Sequence, residues 1–424
     1  MIKNNLETEL IKKLKFNIQI DEKKALNEFL EFLKEKGNPI IEPIIDEIDY
    51  SLVTIFHFAE QQINNVLIIS QILPALTDEN IEEHLLKRIR DTNLWYGTYK
   101  VRNDIKFSYN LFPNDSLLIR CKERCKNMRA DKFNKNKLTF NRPGSFKVEI
   151  PYVKMPNSGE NLWLEERIDI PKGTITKYEF ESSYFIEPRG INVYKPSGYN
   201  KDSSPYGFIT LTDGYDYINV LKAEQVLNNL IADKKILPIV AIFIDSTDKR
   251  SEDLSCNDLF CNSVVNEMIP WLREKYNLSK DPQKAVIGGL SLGGLTATYM
   301  GLKHSEVFGN VLCQSGSFWY KPIKSDKKKE CKVELEKRSS ELDCWMSEQI
   351  KLSPKLPLKF YMNIGVLENK KTMINNSLNV KNTLESLDYH VDFEFFKSGH
   401  DYLSWGQMLA TGLITLIGYQ DDTE

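Results

Sequence analysis

From residue 190 onward the chain alternates short, almost continuously apolar runs with stretches of helical periodicity, and this alternation restricts the architecture more than any other feature. Apolar runs lie at 190–194, 208–211, 237–244, 284–288, 310–313 and 358–364, and Phe393-Glu-Phe-Phe follows them. Runs of this kind suit strands covered on both faces. Between them, residues 222–231, 263–276, 292–303, 377–387 and 402–417 carry helical patterns. The reading is an α/β fold, a mostly parallel sheet flanked by helices. Ligands bind such sheets at the carboxyl ends of the strands.

The first part of the chain reads differently. Asp21 opens a helix whose apolar positions Leu26, Phe29, Leu30 and Leu33 recur at steps of three and four, and Gly37 closes it. Segments 52–58, 66–70, 94–101 and 107–111 are short, rich in aromatic and β-branched residues, and separated by turn chemistry. The expected organisation is a small β-sandwich-like domain with a leading helix over 1–150, a linker over 151–185 rich in proline and glycine, and the α/β domain over 186–424. The total of 424 residues has room for this without disulfide or metal staples.

Charge excludes several functions. With 56 Lys+Arg against 59 Asp+Glu, a net of −3, the chain lacks the footprint of a nucleic-acid binder or a polybasic membrane-surface protein. It has no apolar run of membrane-spanning length and no signal-like amino terminus, so a cytoplasmic location is expected. The 7 cysteines include no CxxC pair. Neither Cys121/Cys125 nor Cys256/Cys261 has zinc spacing, and the reading is reduced thiols with no metal and no cofactor.

One strand-to-helix junction reads Gly288-Gly289-Leu290-Ser291-Leu292-Gly293-Gly294. Within it lies the nucleophile elbow G-x-S-x-G. A sharp turn holds the serine in strained backbone geometry, and the glycines let strand and helix approach closely. A serine hydroxyl needs a base to take its proton. Of the five histidines, His57 and His84 belong to the first domain. His304 ends the helix leaving the elbow, and His390 opens the final strand. His400, in a loop between that strand and the last helix, occupies the place required by the order Ser, acid, His found in α/β-hydrolases.

Glu368, just after the strand at 358–364, is the expected acid, orienting the imidazole and stabilising its protonated form. Asp401 competes by adjacency, and a Ser–His dyad without an acid is the remaining option. An oxyanion hole needs two backbone donors. Leu292 supplies one, and the loop Asp213-Gly214-Tyr215 the other, with Gly214 permitting the turn and Tyr215 the expected donor.

These residues resemble the enterochelin (ferric enterobactin) esterase family. The resemblance rests on the elbow, on Gln314-Ser-Gly-Ser317-Phe-Trp319, on the Asp245–Leu254 segment with Arg250, and on Gly399-His400-Asp401-Tyr-Leu-Ser-Trp405. It extends into the first domain at Asp91–Tyr96 and Phe107-Ser-Tyr. It implies an α/β-hydrolase that cleaves the trilactone of an iron-loaded catecholate siderophore, a small-molecule substrate, with Ser291, His400 and Glu368 in the catalytic places. Arg250 matches the family's active-site arginine; it either binds anionic catecholates or holds a loop through a carboxylate. Trp319 and Asp253 join it as expected substrate-binding residues, Asp253 standing where the family usually has Glu. The lysine-rich 324–329 stretch departs from the family pattern. The rival readings are a feruloyl or acetyl esterase acting on carbohydrate, and a binding protein that keeps the fold without catalysis.

Overall fold

The computed structural model describes residues 6–119, 124–141, 147–322 and 344–419. Cys121 and the lysine-rich 324–329 stretch lie outside the described residues. The chain forms two compact units, Met1–Glu160 with Lys397–Leu403, and Asn161–Phe396 with Ser404–Glu424.

The first unit opens with α1 (Glu9–Ile20) and α2 (Glu22–Lys36). Thr8 caps α1 by accepting the Ile11 amide, and Asp21 caps α2 by accepting the Lys24 amide. Gly37, at φ 90°, ends α2 as its position requires. The strands are β1 (Ile40–Pro43), β2 (Tyr50–Phe58), β3 (Val66–Ser70), β4 (Lys87–Arg88), β5 (Leu94–Arg102), β6 (Lys106–Pro113), β7 (Lys137–Asn141) and β8 (Lys147–Lys154). They make two four-stranded antiparallel sheets, ordered β1-β2-β5-β4 and β3-β6-β8-β7. The helices cover one sheet, packing Phe29 and Leu33 into a cluster with Phe56, Phe58, Leu94 and Tyr96.

The short segment Lys397–Leu403 belongs to this unit by its packing. The Lys106 amide donates to the Lys397 carbonyl at 2.9 Å, and Lys397 Nζ pairs with Asp104 at 2.9 Å. A Cβ on Gly399 would stand 2.5 Å from Gln71 Cγ, so the backbone there lies directly on that side chain. Tyr402 meets Phe140 edge to face.

The second unit is built on β9 (Thr174–Phe180), β10 (Arg189–Lys195), β11 (Phe208–Thr212), β12 (Val240–Ile244), β13 (Ala285–Leu290), β14 (Asn310–Gln314), β15 (Lys359–Gly365) and β16 (His390–Phe396). Their order is β16-β15-β14-β13-β11-β12-β10-β9. The strands from β11 to β16 run parallel, and β10 pairs antiparallel with both β12 and β9. Residues of β11, β12, β13 and β14 are buried throughout, as their apolar runs require.

Helices α3 (Gly214–Asn219), α4 (Ala223–Ala232), α5 (Arg250–Asp253), α6 (Asp258–Asn262), α7 (Ile269–Tyr276) and α8 (Leu292–Lys303) alternate with the strands. Among the described residues, Trp345–Leu352, Asn375–Ser386 and Tyr402–Ile417 follow. The helix expected at 263–276 is continuous, but Ser263–Met268 is wound as a π-helix ahead of Pro270, whose missing N–H breaks the regular ladder.

The linker expected over 151–185 is corrected. Pro151 lies inside β8, at a position that pairs with β7 just beyond the stretch paired with β6. The Thr174–Phe180 stretch is the edge strand β9, paired along its full length with β10. Its alternation of half-buried and exposed residues, natural for an edge, is weaker than the continuous apolar signal of the central strands. Among the described residues no helix is long and apolar enough to cross a membrane.

Candidate active site

Strand β13 delivers Ser291 at its carboxyl end, and α8 starts at the next residue. Ser291 has φ 58° and ψ −118°, a conformation disfavoured for any side chain but glycine's hydrogen. The surroundings hold it there. Its amide donates to the Gln314 carbonyl at 2.9 Å, and its carbonyl accepts from Leu295 at 3.1 Å and Ser317 at 3.0 Å. The glycines at 289 and 293 are steric requirements: a Cβ on Gly289 would lie 2.5 Å from the Gly293 backbone, and one on Gly293 would collide with Thr212 Oγ1. Leu292, the first residue of α8, has its amide in the turn that the helical ladder leaves unpaired, at the positive end of the helix dipole.

The loop expected to carry the second oxyanion donor follows β11. Asp213 takes the left-handed conformation, φ 58°, and its carbonyl receives the Asp216 and Tyr217 amides to start α3. This leaves the Gly214 and Tyr215 amides in the first turn. The Asp213 carboxylate, 2% exposed, is clamped by Arg250 through Nε at 2.5 Å and Nη2 at 2.7 Å. Ser246 donates to the same carboxylate at 2.5 Å. Arg250 thus makes the bidentate carboxylate contact, one of the two roles open to it. Residue 213 entered the sequence reading only as the start of a loop, and no local pattern links it to an arginine 37 positions away.

Asp245, at the end of β12, backs this loop. Burial pushes its carboxyl above the usual range, against the Asn192 hydrogen bond, Lys177 and the nearby Tyr215 amide. A Cβ on Gly214 would lie 2.9 Å from Asp245 Oδ1, which explains the glycine at that position.

Asp253 lies away from any open surface. It is buried, and both of its oxygens accept from Arg189 Nη2, at 2.9 and 3.2 Å. Burial raises its pKa and Arg189 opposes the shift. The structure gives it the role of a buried pair anchoring the Arg250 helix, in place of the substrate contact expected from sequence. Trp319 sits half-buried in the turn after Phe318, close in sequence to an aromatic group in which Tyr299 stacks on Trp345 and Tyr320 meets Trp345 edge-on.

Glu368 follows β15 and is 7% exposed. Its Oε1 accepts from the Gly365 amide at 2.9 Å and from the Ser315 hydroxyl at 2.6 Å. Ser315 in turn accepts the Trp405 indole N–H at 3.0 Å. This fixes the carboxylate at the strand's carboxyl end. The competing acid, Asp401, uses Oδ1 within its own loop, accepting from Ser398 and from the Leu403 amide, both at 3.0 Å. His400 is exposed in the loop between β16 and Tyr402–Ile417, on the segment that packs with the first unit. The other histidines lie elsewhere: His57 and His84 in the first unit, His304 beside Glu306, and His390 beside Asp392.

Burial pushes the Cys261 and Cys313 thiols up to about 12, which leaves them un-ionised. Among the described residues no group of three or more His, Cys, Asp or Glu gathers to hold a metal ion.

Residues 182–416 match the Esterase family. Two relatives extend the likeness over most of the chain. The iron(III) enterobactin esterase of Dickeya dadantii is 23% identical over 367 residues, covering 79% of this chain and 80% of that protein. Its Escherichia coli K12 counterpart is 24% identical over 364 residues, covering 81% and 85%. Among solved structures, the Shigella flexneri enterobactin esterase determined in the presence of enterobactin superposes with a TM-score of 0.71 at 20% identity. That match covers 91% of this chain and 97% of the other, and it shows the shared fold, an α/β-hydrolase unit preceded by a smaller sheet unit.

Proposed function

The chain belongs to the Esterase family and is an ester hydrolase; from that premise we propose that it opens the ester backbone of an imported ferric catecholate siderophore. One observation carries the substrate assignment: likeness to iron(III) enterobactin esterases runs through about four-fifths of the chain, the first unit included. A generic hydrolase would share only the second unit. Iron enters as part of the substrate, and acting on an imported ligand gives the enzyme a cytoplasmic location.

In this mechanism His400 removes the Ser291 proton as Oγ bonds to the ester carbonyl carbon, whose electron pair moves onto the carbonyl oxygen. The Leu292 amide and an amide of Gly214 or Tyr215 hold that oxyanion. When the intermediate collapses, the alcohol oxygen departs with its bonding pair and takes the proton from His400. Water, deprotonated by His400, then attacks the acyl-enzyme and releases the acid. Glu368 stabilises the charged imidazole, and Trp319 offers an aromatic face to a catechol ring.

The test is incubation of the purified protein with iron-loaded and iron-free trilactone, with product masses recorded. Catecholoyl-serine fragments are the expected products. Cleavage of a feruloyl sugar with the trilactone left whole would move the assignment to a carbohydrate esterase.

A further inference from the structure

The turn that follows β14 does more than connect elements. Ser315 takes the left-handed conformation, φ 49°. At Gly316 a Cβ would lie 2.7 Å from both Cys313 Sγ and the Phe318 ring. Ser315 thus holds a backbone that ordinary side chains resist, and Gly316 fills a place where packing leaves no room for a Cβ, costs normally kept only where the placement matters. The outcome is the position of Ser317. It is 2% exposed, its amide donates to the Ser291 carbonyl, and its Oγ stands 3.2 Å from Ser291 Oγ. The same turn reaches Glu368 through Ser315.

We propose that Ser317 is a further catalytic residue, whose hydroxyl donates to Ser291 Oγ and steadies that oxygen as it leaves the acyl group. The proposal rests on Ser291 being the nucleophile, as in the function proposed above. With the Ser291 proton committed to the base, only Ser317 has a hydrogen to give in this pair. In the acyl-enzyme, Ser291 Oγ is an ester oxygen and a weak acceptor. During deacylation the C–Oγ bond breaks, its electron pair stays on Oγ, and the proton arrives from the imidazolium. The Ser317 hydrogen bond therefore strengthens as charge develops, which is the condition for accelerating a step instead of merely binding its ground state.

The experiment uses the full chain and p-nitrophenyl acetate, so its outcome is separate from the choice of siderophore. The acyl-enzyme is formed rapidly and its decay is followed by intact mass. Ser317→Ala is expected to slow that decay about 10- to 100-fold, the range for losing a hydrogen bond to a charged group. kcat and KM should fall together, leaving kcat/KM, which reports acylation, nearly unchanged. A displaced nucleophile would instead lower kcat/KM. Ser317→Thr, which keeps the hydroxyl, should restore the decay rate, and the unfolding midpoint of each variant checks the fold. Unchanged decay in Ser317→Ala, or equal losses in kcat and kcat/KM without accumulated acyl-enzyme, overturns the proposal. A wild-type chain that is never acylated on Ser291 overturns both this proposal and the serine mechanism, whereas an acylated chain that spares the trilactone overturns only the siderophore assignment.

Discussion

Arg250 grips Asp213 through both carboxylate oxygens, at 2.5 and 2.7 Å, and so fastens the loop carrying Gly214 and Tyr215 to the helix that follows β12. The guanidinium is 31% exposed while the carboxylate is buried, so removing the arginine strands a charge.

Arg250→Lys keeps the charge and loses the fork. If the arginine acts by holding the loop, kcat on a small neutral ester should fall about 10- to 100-fold, because the second oxyanion donor is no longer fixed. Steady-state kinetics on p-nitrophenyl acetate and on the trilactone decide this. A loss confined to KM for the anionic trilactone would make Arg250 a substrate-binding residue.

Ser291→Ala should abolish fluorophosphonate labelling and lower turnover by at least about 10³-fold, with the unfolding midpoint near that of the parent. Glu368→Gln preserves shape but replaces an acceptor with a donor. It should cost about 10²–10⁴-fold in kcat, as when the partner of a catalytic imidazole is neutralised. Normal turnover in Glu368→Gln would favour a Ser–His dyad.

Gly293→Ala forces a methyl group onto Thr212 Oγ1, a buried hydroxyl that makes no hydrogen bond of its own. Overpacking of this kind costs about 1–3 kcal/mol. Thr212→Ala removes the obstructing atom, so the double variant should be more stable than the sum of the singles. Denaturant titrations of all four proteins complete the cycle, and strict additivity would reject the steric account.

His57 gives a pH dependence. Burial, assisted by Lys132, lowers its pKa to about 4. An unfolded chain protonates this ring near 6.5, so below that pH the unfolded state binds the proton first. The stability is fully present above 6.5 and is lost as pH falls toward 4. His57→Gln should flatten that loss by on the order of 1–3 kcal/mol. Unfolding free energies near pH 7 and near pH 4.5 measure it, and parallel slopes in the two proteins would contradict it.

Local signals made much of this legible from sequence. Asp21 and Gly37 bracket α2, and the glycines around Ser291 predict both the turn and its helix, because capping and steric access are encoded within a few residues. Helix α1 carried its own cue, Thr8 ahead of Ile11, Leu14 and Ile18, which the reading passed over. Other features have no local trace. The Arg189–Asp253 and Arg250–Asp213 pairs join residues 64 and 37 positions apart. Ser317 owes its place to the left-handed Ser315 and the close-packed Gly316, which no periodicity reports. Strand β9, an edge strand whose residues alternate weakly between half-buried and exposed, gives no signal that separates it from a linker.

The packing of Lys397–Leu403 has a practical corollary. Lys397 leans on Asp104 and Lys106, and Gly399 on Gln71, all contributed by the first 160 residues. Trimming the polypeptide to residues 161–424 would keep the elbow and its glycines but leave the 397–403 segment without the groups it packs on.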